Sequence, residues 1–196
     1  MMKSIVSIVL LFALAVLGAG CASTPSKFYT LSPTAEPGGA TASYSVAVGP
    51  VSVPPMIDRP QMVVNMGPNQ VGIDEVNRWA SPLQSEIARV VAENLARKLG
   101  TQMVSVFPQA TAAGASYRVL IDVMRFESAP GKNAALDAVW TVRGAKEGAS
   151  RAGRTTVSEP AADGSTAALV AAHSRALGRL SGEVAGAIRS LESGGK

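Results

Sequence analysis

Apolar residues change their spacing several times along the chain, and each change predicts an element. Ile5 to Leu17 is apolar apart from Ser7, with Lys3 ahead of it and Leu17-Gly18-Ala19-Gly20-Cys21 behind. At 1.5 Å per residue this run is too short to cross a hydrocarbon core of about 30 Å. Phe28 to Leu31 is a short run of β-formers, and Ser32 to Ser43, rich in Pro, Gly and Ser, reads as a flexible loop. Val46, Val48, Val51 and Val53 alternate as in a strand, with Gly49-Pro50 as a bulge or bend. Gln61 to Met66 and Gln70 to Ile73 flank Gly67-Pro68-Asn69 and predict a hairpin.

A helical period begins at residue 82. Leu83, Ile87, Val90, Val91, Leu95 and Leu99 form one face, and Glu86/Arg89 and Glu93/Arg97 are expected as pairs on the wet face. Ser81 and Gln84 have capping-box spacing, Pro82 suits the first helical position, and Gly100 ends the helix. Gln102 to Phe107 reads as a strand closed by Pro108. Tyr117 to Phe126 is apolar on both sides, with Tyr117, Val119, Ile121 and Val123 on one and Leu120, Met124 and Phe126 on the other. Such a strand is expected to be central and covered above and below. Ala134 to Val142 pairs beside it, Gly144 to Arg154 reads as a long basic hairpin tip, and Thr155 to Ser158 returns. A second helix runs from about 166 to 191, its apolar face Leu169, His173, Leu177, Leu180, Val184, Ile188 and Leu191. The order predicts a single α/β domain, a mixed β-sheet with two main covering helices at about 82–99 and 166–191.

Composition narrows the chemistry. Aromatic residues are 5% and apolar residues 47%, so the core rests on aliphatic side chains. The formal charge is +4 and falls by one without Lys3, too little and too scattered to argue for nucleic acid. One cysteine excludes an internal disulfide and a Cys-based zinc site, and the lone His173 leaves little for a metal centre. There is no phosphate-binding GxxxxGK[ST] and no nucleophile elbow. The reading is therefore not an enzyme, with no catalytic residues, no metal and no cofactor.

The first twenty residues have the anatomy of an export signal. Small residues at Ala19 and Gly20 before Cys21 resemble the lipobox of bacterial lipoproteins, although Gly18 stands where that motif usually has Leu. The expected boundaries are a signal peptide at 1–20, an acylated N-terminus and tether at 21–27, and a folded domain at 28–192. The covalent lipid on Cys21 would be the sole prosthetic group. Ala22 follows the cysteine. By resemblance to enterobacterial sorting, the absence of Asp there favours the outer membrane.

Three stretches occur together behind this leader: Lys27-Phe28-Tyr29-Thr30-Leu31, Asp58-Arg59-Pro60-Gln61-Met62-Val63 and Asn77-Arg78-Trp79-Ala80-Ser81-Pro82-Leu83. Their order and spacing resemble the ABC-type transport auxiliary lipoproteins, the group of paraquat-inducible protein C. The resemblance implies an α/β fold and an outer-membrane lipoprotein facing the periplasm. It implies partnership with an MCE-domain protein, which forms a lipid tunnel, and with that protein's permease or PqiA-like subunit. It carries over no catalytic residue. A free-standing lipid-binding lipoprotein, holding lipid between sheet and helix, is the alternative.

Several residues keep two readings. Arg59 and Arg78 would contact a partner or lipid, or else pair with Asp58, Asp74 or Glu75. Trp79 would be an interface anchor or core packing. Gly178, Gly182 and Gly186 recur every four residues, for packing on the sheet or contact between copies in a homo-oligomer. His173 reads as a buried histidine. Lys146, Arg151 and Arg154 read as a solvated hairpin tip, with anionic lipid as the sharper reading.

Overall fold

The computed structural model describes residues 24–39, 41–146 and 148–194. Cys21 and the stretch expected as an export signal lie outside them. The strands are β1 (Lys27–Tyr29), β2 (Val46–Ser52), β3 (Gln61–Gly67), β4 (Gln70–Trp79), β5 (Val104–Val106), β6 (Tyr117–Ala129), β7 (Asn133–Gly144) and β8 (Ser150–Pro160). The helices are α1 (Leu83–Leu99) and α2 (Thr166–Gly194).

All eight strands form one mixed sheet that forks at β6. One edge of β6 pairs antiparallel with β7, which pairs with β8. The other edge takes β2, itself paired with β5, along its first half, and β3 at Ser128. β3 continues through β4 to the short parallel β1. The predicted irregularity at Gly49-Pro50 is present as a register shift between Val48 and Val51.

Both helices cover the same face of the sheet. Ile87, Leu95, Leu177, Leu180 and Ile188 pack against Val119, Ile121, Leu136 and Val142, all buried. The opposite face is open, which corrects the expectation that β6 is covered on both sides. Met124 is 59% exposed and Leu120 half-buried there. A bulge between Val123 and Arg125 shifts the alternation, and this turns Phe126 to the helix side with Val123. Counting side chains without the bulge placed Phe126 on the wrong face.

Residues 31–38, most of them in the stretch 32–43 expected as a flexible loop, form a strap over the helix pair. Leu31 and Ala35 are buried. Leu31 N–H donates to Glu86 Oε2 at 3.0 Å, and Thr34 and Ala35 N–H both donate to Asn94 Oδ1 at 3.0 and 2.9 Å. Ser32 N–H donates to Ser174 Oγ, and Gly38 N–H reaches Arg97 O. Glu86 is therefore buried under the strap rather than on a wet face. Arg89 bonds it at 2.8 Å and also takes Glu93, so Glu93 does not pair with Arg97. The i, i+3 partner of Glu86 and the i, i+4 partner of Glu93 meet in one guanidinium, which has five donors to share.

Two further expectations change. Pro82 is the N-cap of α1 and no side chain caps it, so the Ser81/Gln84 box does not form. Gln84 turns outward instead, its Nε2 donating to Asp58 Oδ2 at 3.2 Å. The long basic tip is also absent. β7 and β8 extend to Gly144 and from Ser150, so Arg151 and Arg154 stand on a strand. Arg154 forms a two-point contact with Asp137 and, first among the causes, this hydrogen bonding holds the Asp137 carboxyl below the usual range. Gly100 ends α1 as expected, with φ of +64°.

Candidate functional site

The segments singled out in the sequence meet at one end of the sheet. β1 lies parallel to the last residues of β4, with Lys27, Phe28 and Tyr29 beside Asn77, Arg78 and Trp79. Trp79 N–H donates to Pro60 O at 2.7 Å, and Ala80 N–H to Tyr29 O at 2.9 Å. These two bonds tie β1, the Asp58–Pro60 loop and the lead into α1 into one unit.

A local irregularity sets the side-chain directions. Met62 pairs with Asp74 while Gln61 pairs with Arg78, so Glu75, Val76 and Asn77 are extra residues on β4. The Asp74 carboxylate gathers this bulge by accepting from Val76 N–H, Asn77 N–H and Asn77 Nδ2 at 3.0, 2.9 and 2.7 Å. Burial works against its ionisation, but those hydrogen bonds outweigh it and hold the Asp74 carboxyl below its ordinary range. Beyond the bulge, Arg78 points outward and Trp79 inward.

Trp79 is 6% exposed. Its ring meets Phe126 and His173 edge-on, at centroid distances of 6.2 and 6.4 Å, and His173 stacks on Phe126 at 3.8 Å. The tryptophan is thus part of the core. Arg78 pairs with Glu75, Nη2 to Oε2 at 3.6 Å, and its Nε donates to Glu75 O. Arg59 has no ion-pair partner among the described residues, and its Nε is buried without a hydrogen-bond acceptor.

The unit encloses a concavity of about 360 Å³ lined by Phe28, Arg59, Pro60, Trp79, Ser81 and Pro82, with Asp58 at its edge. Phe28 is 65% exposed. A second concavity, of about 410 Å³, lies at the other end of α1. There Tyr117 donates to Glu192 at 2.6 Å and Tyr44 meets Tyr117 edge-on at 5.2 Å. Burial first, then the Glu192 carboxylate, push the Tyr117 phenol up to about 12.

Ser128 Oγ and His173 Nε2 lie 2.8 Å apart, a contact that sequence reading missed. His173 is fully buried, burial drops its pKa to about 3, and its Nδ1 has no partner to orient the ring. The space beside Ser128 and Trp79 is about 10 Å³, room for about one water. A neutral, closed histidine without a third group lacks the chain of roles a nucleophile–base pair requires. The pair orders the core instead.

The glycine stripe of α2 does not pack on the sheet along its length. A Cβ at Gly178 would collide with Thr34 Oγ1 of the strap, Gly182 faces the Lys98 side chain at 3.7 Å, and Gly186 opens to space. Among the described residues no helix is long and apolar enough to cross a membrane. No cluster of His, Cys, Asp and Glu there could hold a metal ion.

The model of the ABC-type transport auxiliary lipoprotein component matches residues 29–185. The chain belongs to that family. It is thus an auxiliary lipoprotein component of a transport system. The fold recurs in a crystal structure of an uncharacterized protein at 17% identity, TM-score 0.69, covering 84% of this chain and 99% of that one. It recurs also in a Xanthomonas campestris protein of the DUF330 family at 21% identity, TM-score 0.66, covering 87% and 100%. A PelC dodecamer from Paraburkholderia phytofirmans matches more distantly, at 16% identity and TM-score 0.40, covering 76% and 94%. A search of curated protein sequences returns no match.

Proposed function

We propose that this auxiliary lipoprotein is a non-catalytic outer-membrane subunit of an MCE-type lipid transport system. It is anchored through acyl chains on Cys21, faces the periplasm and docks an MCE-domain tunnel or its permease complex. The observation that carries the reading is the family match over residues 29–185, directly behind a lipobox-like Cys21. The convergence of the Phe28, Arg59 and Trp79 segments on one concavity supports it, because that surface lies where the anchored chain enters the fold. The alternative, a lipid held between sheet and helix, lacks its space: Ile87, Leu95, Leu177 and Leu180 fill that layer.

The test is affinity purification of the full-length, C-terminally tagged protein from solubilised envelopes, with Cys21→Ser as control, read by mass spectrometry. An MCE-domain protein recovered with the acylated form is the expected result. Recovery of the acylated form alone at native expression removes the docking role.

A further inference from the structure

We infer that the concavity at β1 binds the phosphate and glycerol region of an anionic glycerophospholipid in the bilayer to which the chain is anchored. The inference deepens the proposed function and rests on its anchor at Cys21. Lys27 is six residue steps beyond Cys21. A fully extended stretch of that length spans about 20 Å. Once Cys21 is acylated, β1 cannot be farther than this from the membrane surface. The other end of α1, 17 residues away, is displaced by about 25 Å at 1.5 Å per residue.

The chemistry of the concavity fits what that surface offers. Phe28 is a large apolar side chain, 65% exposed, on the strand nearest the anchor. An aromatic ring in that position partitions into the interfacial region of a bilayer. Beside it, Arg59 has a buried Nε–H with no acceptor. A buried donor left without an acceptor costs free energy, and a guanidinium answers best to a phosphate or carboxylate. The neighbouring cation Arg78 already has Glu75. The neighbouring anion Asp58 accepts from Gln84 Nε2. The volume of about 360 Å³ is at the small end of ligand sites and suits a headgroup with its glycerol rather than a whole lipid. Phe28, Trp79, Pro60 and Pro82 then face the glycerol and the first acyl carbons, and Arg59 the phosphate.

The experiment places a benzophenone side chain, Phe28→p-benzoylphenylalanine, in the full-length protein and illuminates intact envelopes. The purified chain is then read by intact mass and by N-terminal peptide mass. The expected result is a phospholipid adduct at position 28. Adding Arg59→Ala should lower its yield roughly tenfold, the factor for one lost charge-assisted contact. The same probe at Met124, exposed on the open sheet face, should give no such adduct. Adducts only to protein, equal lipid adducts from both positions, or a yield indifferent to Arg59→Ala would each overturn the inference. The N-terminal peptide separates the two ideas. An unacylated Cys21 defeats the anchor alone, and the headgroup site is still judged by the Arg59-dependent adduct. An acylated Cys21 without the adduct defeats the headgroup site alone.

Discussion

The two ends of α1 carry concavities of similar volume, about 360 Å³ by β1 and about 410 Å³ by the end of α2. Their chemistry differs. At the far end, Tyr117 bonds Glu192, Tyr44 leans on Tyr117, and Ser45 and Ser116 exchange hydrogen bonds. At the β1 end, an exposed phenylalanine sits next to an arginine whose buried Nε has no acceptor. Groups that satisfy one another hold a structure together, whereas a buried donor left without a partner calls for an explanation. The size of a hollow therefore says little here, and the unmet hydrogen bond says more. The β1 end combines a rigid wall, made by the Trp79–Phe126–His173 cluster, with a polar group free to meet something else.

The largest expected effect comes from removing that wall. Trp79→Ala should cost about 3–5 kcal/mol, as truncation of a large buried aromatic does, read by urea unfolding. A cost near that of a surface substitution would show that the wall is not part of the core. Next is the strap. Asn94→Ala deprives Thr34 and Ala35 N–H of their shared acceptor, and should cost about 1–3 kcal/mol. Hydrogen exchange should rise at residues 31–35 before it rises in the sheet.

Acid sharpens the comparison because the β1 end contains His173. Its folded pKa of about 3 is below the ordinary 6.5, so the unfolded chain binds the proton more readily. The stability tied to neutral His173 is complete above about 6.5 and is lost as pH falls from there toward about 3. The urea midpoint of the native protein should fall more steeply across this window than that of His173→Leu. Parallel slopes would remove the histidine from the account. The smallest effects are at the rims. Tyr117→Phe should cost about 1 kcal/mol through its lost hydrogen bond, with no change in the phospholipid adduct at position 28. Arg59→Ala should leave stability within about 0.5 kcal/mol, because the lost Nε–H has no acceptor in the fold, while depleting the adduct.

Much of the architecture was legible in periodicity. The faces of both helices, the turn at 67–69, the bend at Gly49-Pro50 and the pairing of β6 with β7 all follow from spacing and turn residues. What was missed depends on contacts between distant residues. Glu86 and Asn94 look like ordinary polar helix positions, and only the arrival of residues 31–35 buries them. A helical wheel cannot see a strap that crosses it. The bulges at Val123/Arg125 and between Asp74 and Arg78 break the two-residue period, and the first of them moved Phe126 to the covered face. The site was legible as three segments, but not as a cavity. Arg78 has its ion partner, Glu75, within the Asp74 bulge, while the Arg59 Nε has no acceptor, and neither fact shows in the spacing of the sequence. The glycine stripe pointed to close packing, and the strap rather than the sheet occupies Gly178.

The most direct measurement is hydrogen exchange, read by mass spectrometry, of the full-length acylated protein in vesicles of anionic phospholipid and in neutral detergent. The account predicts that vesicles slow exchange in residues 27–29, 58–62 and 79–82, with residues 43–45, 116–118 and 144–149 unchanged. Slowing at the far end instead, or equally at both ends, would contradict the assignment of the β1 end to the membrane.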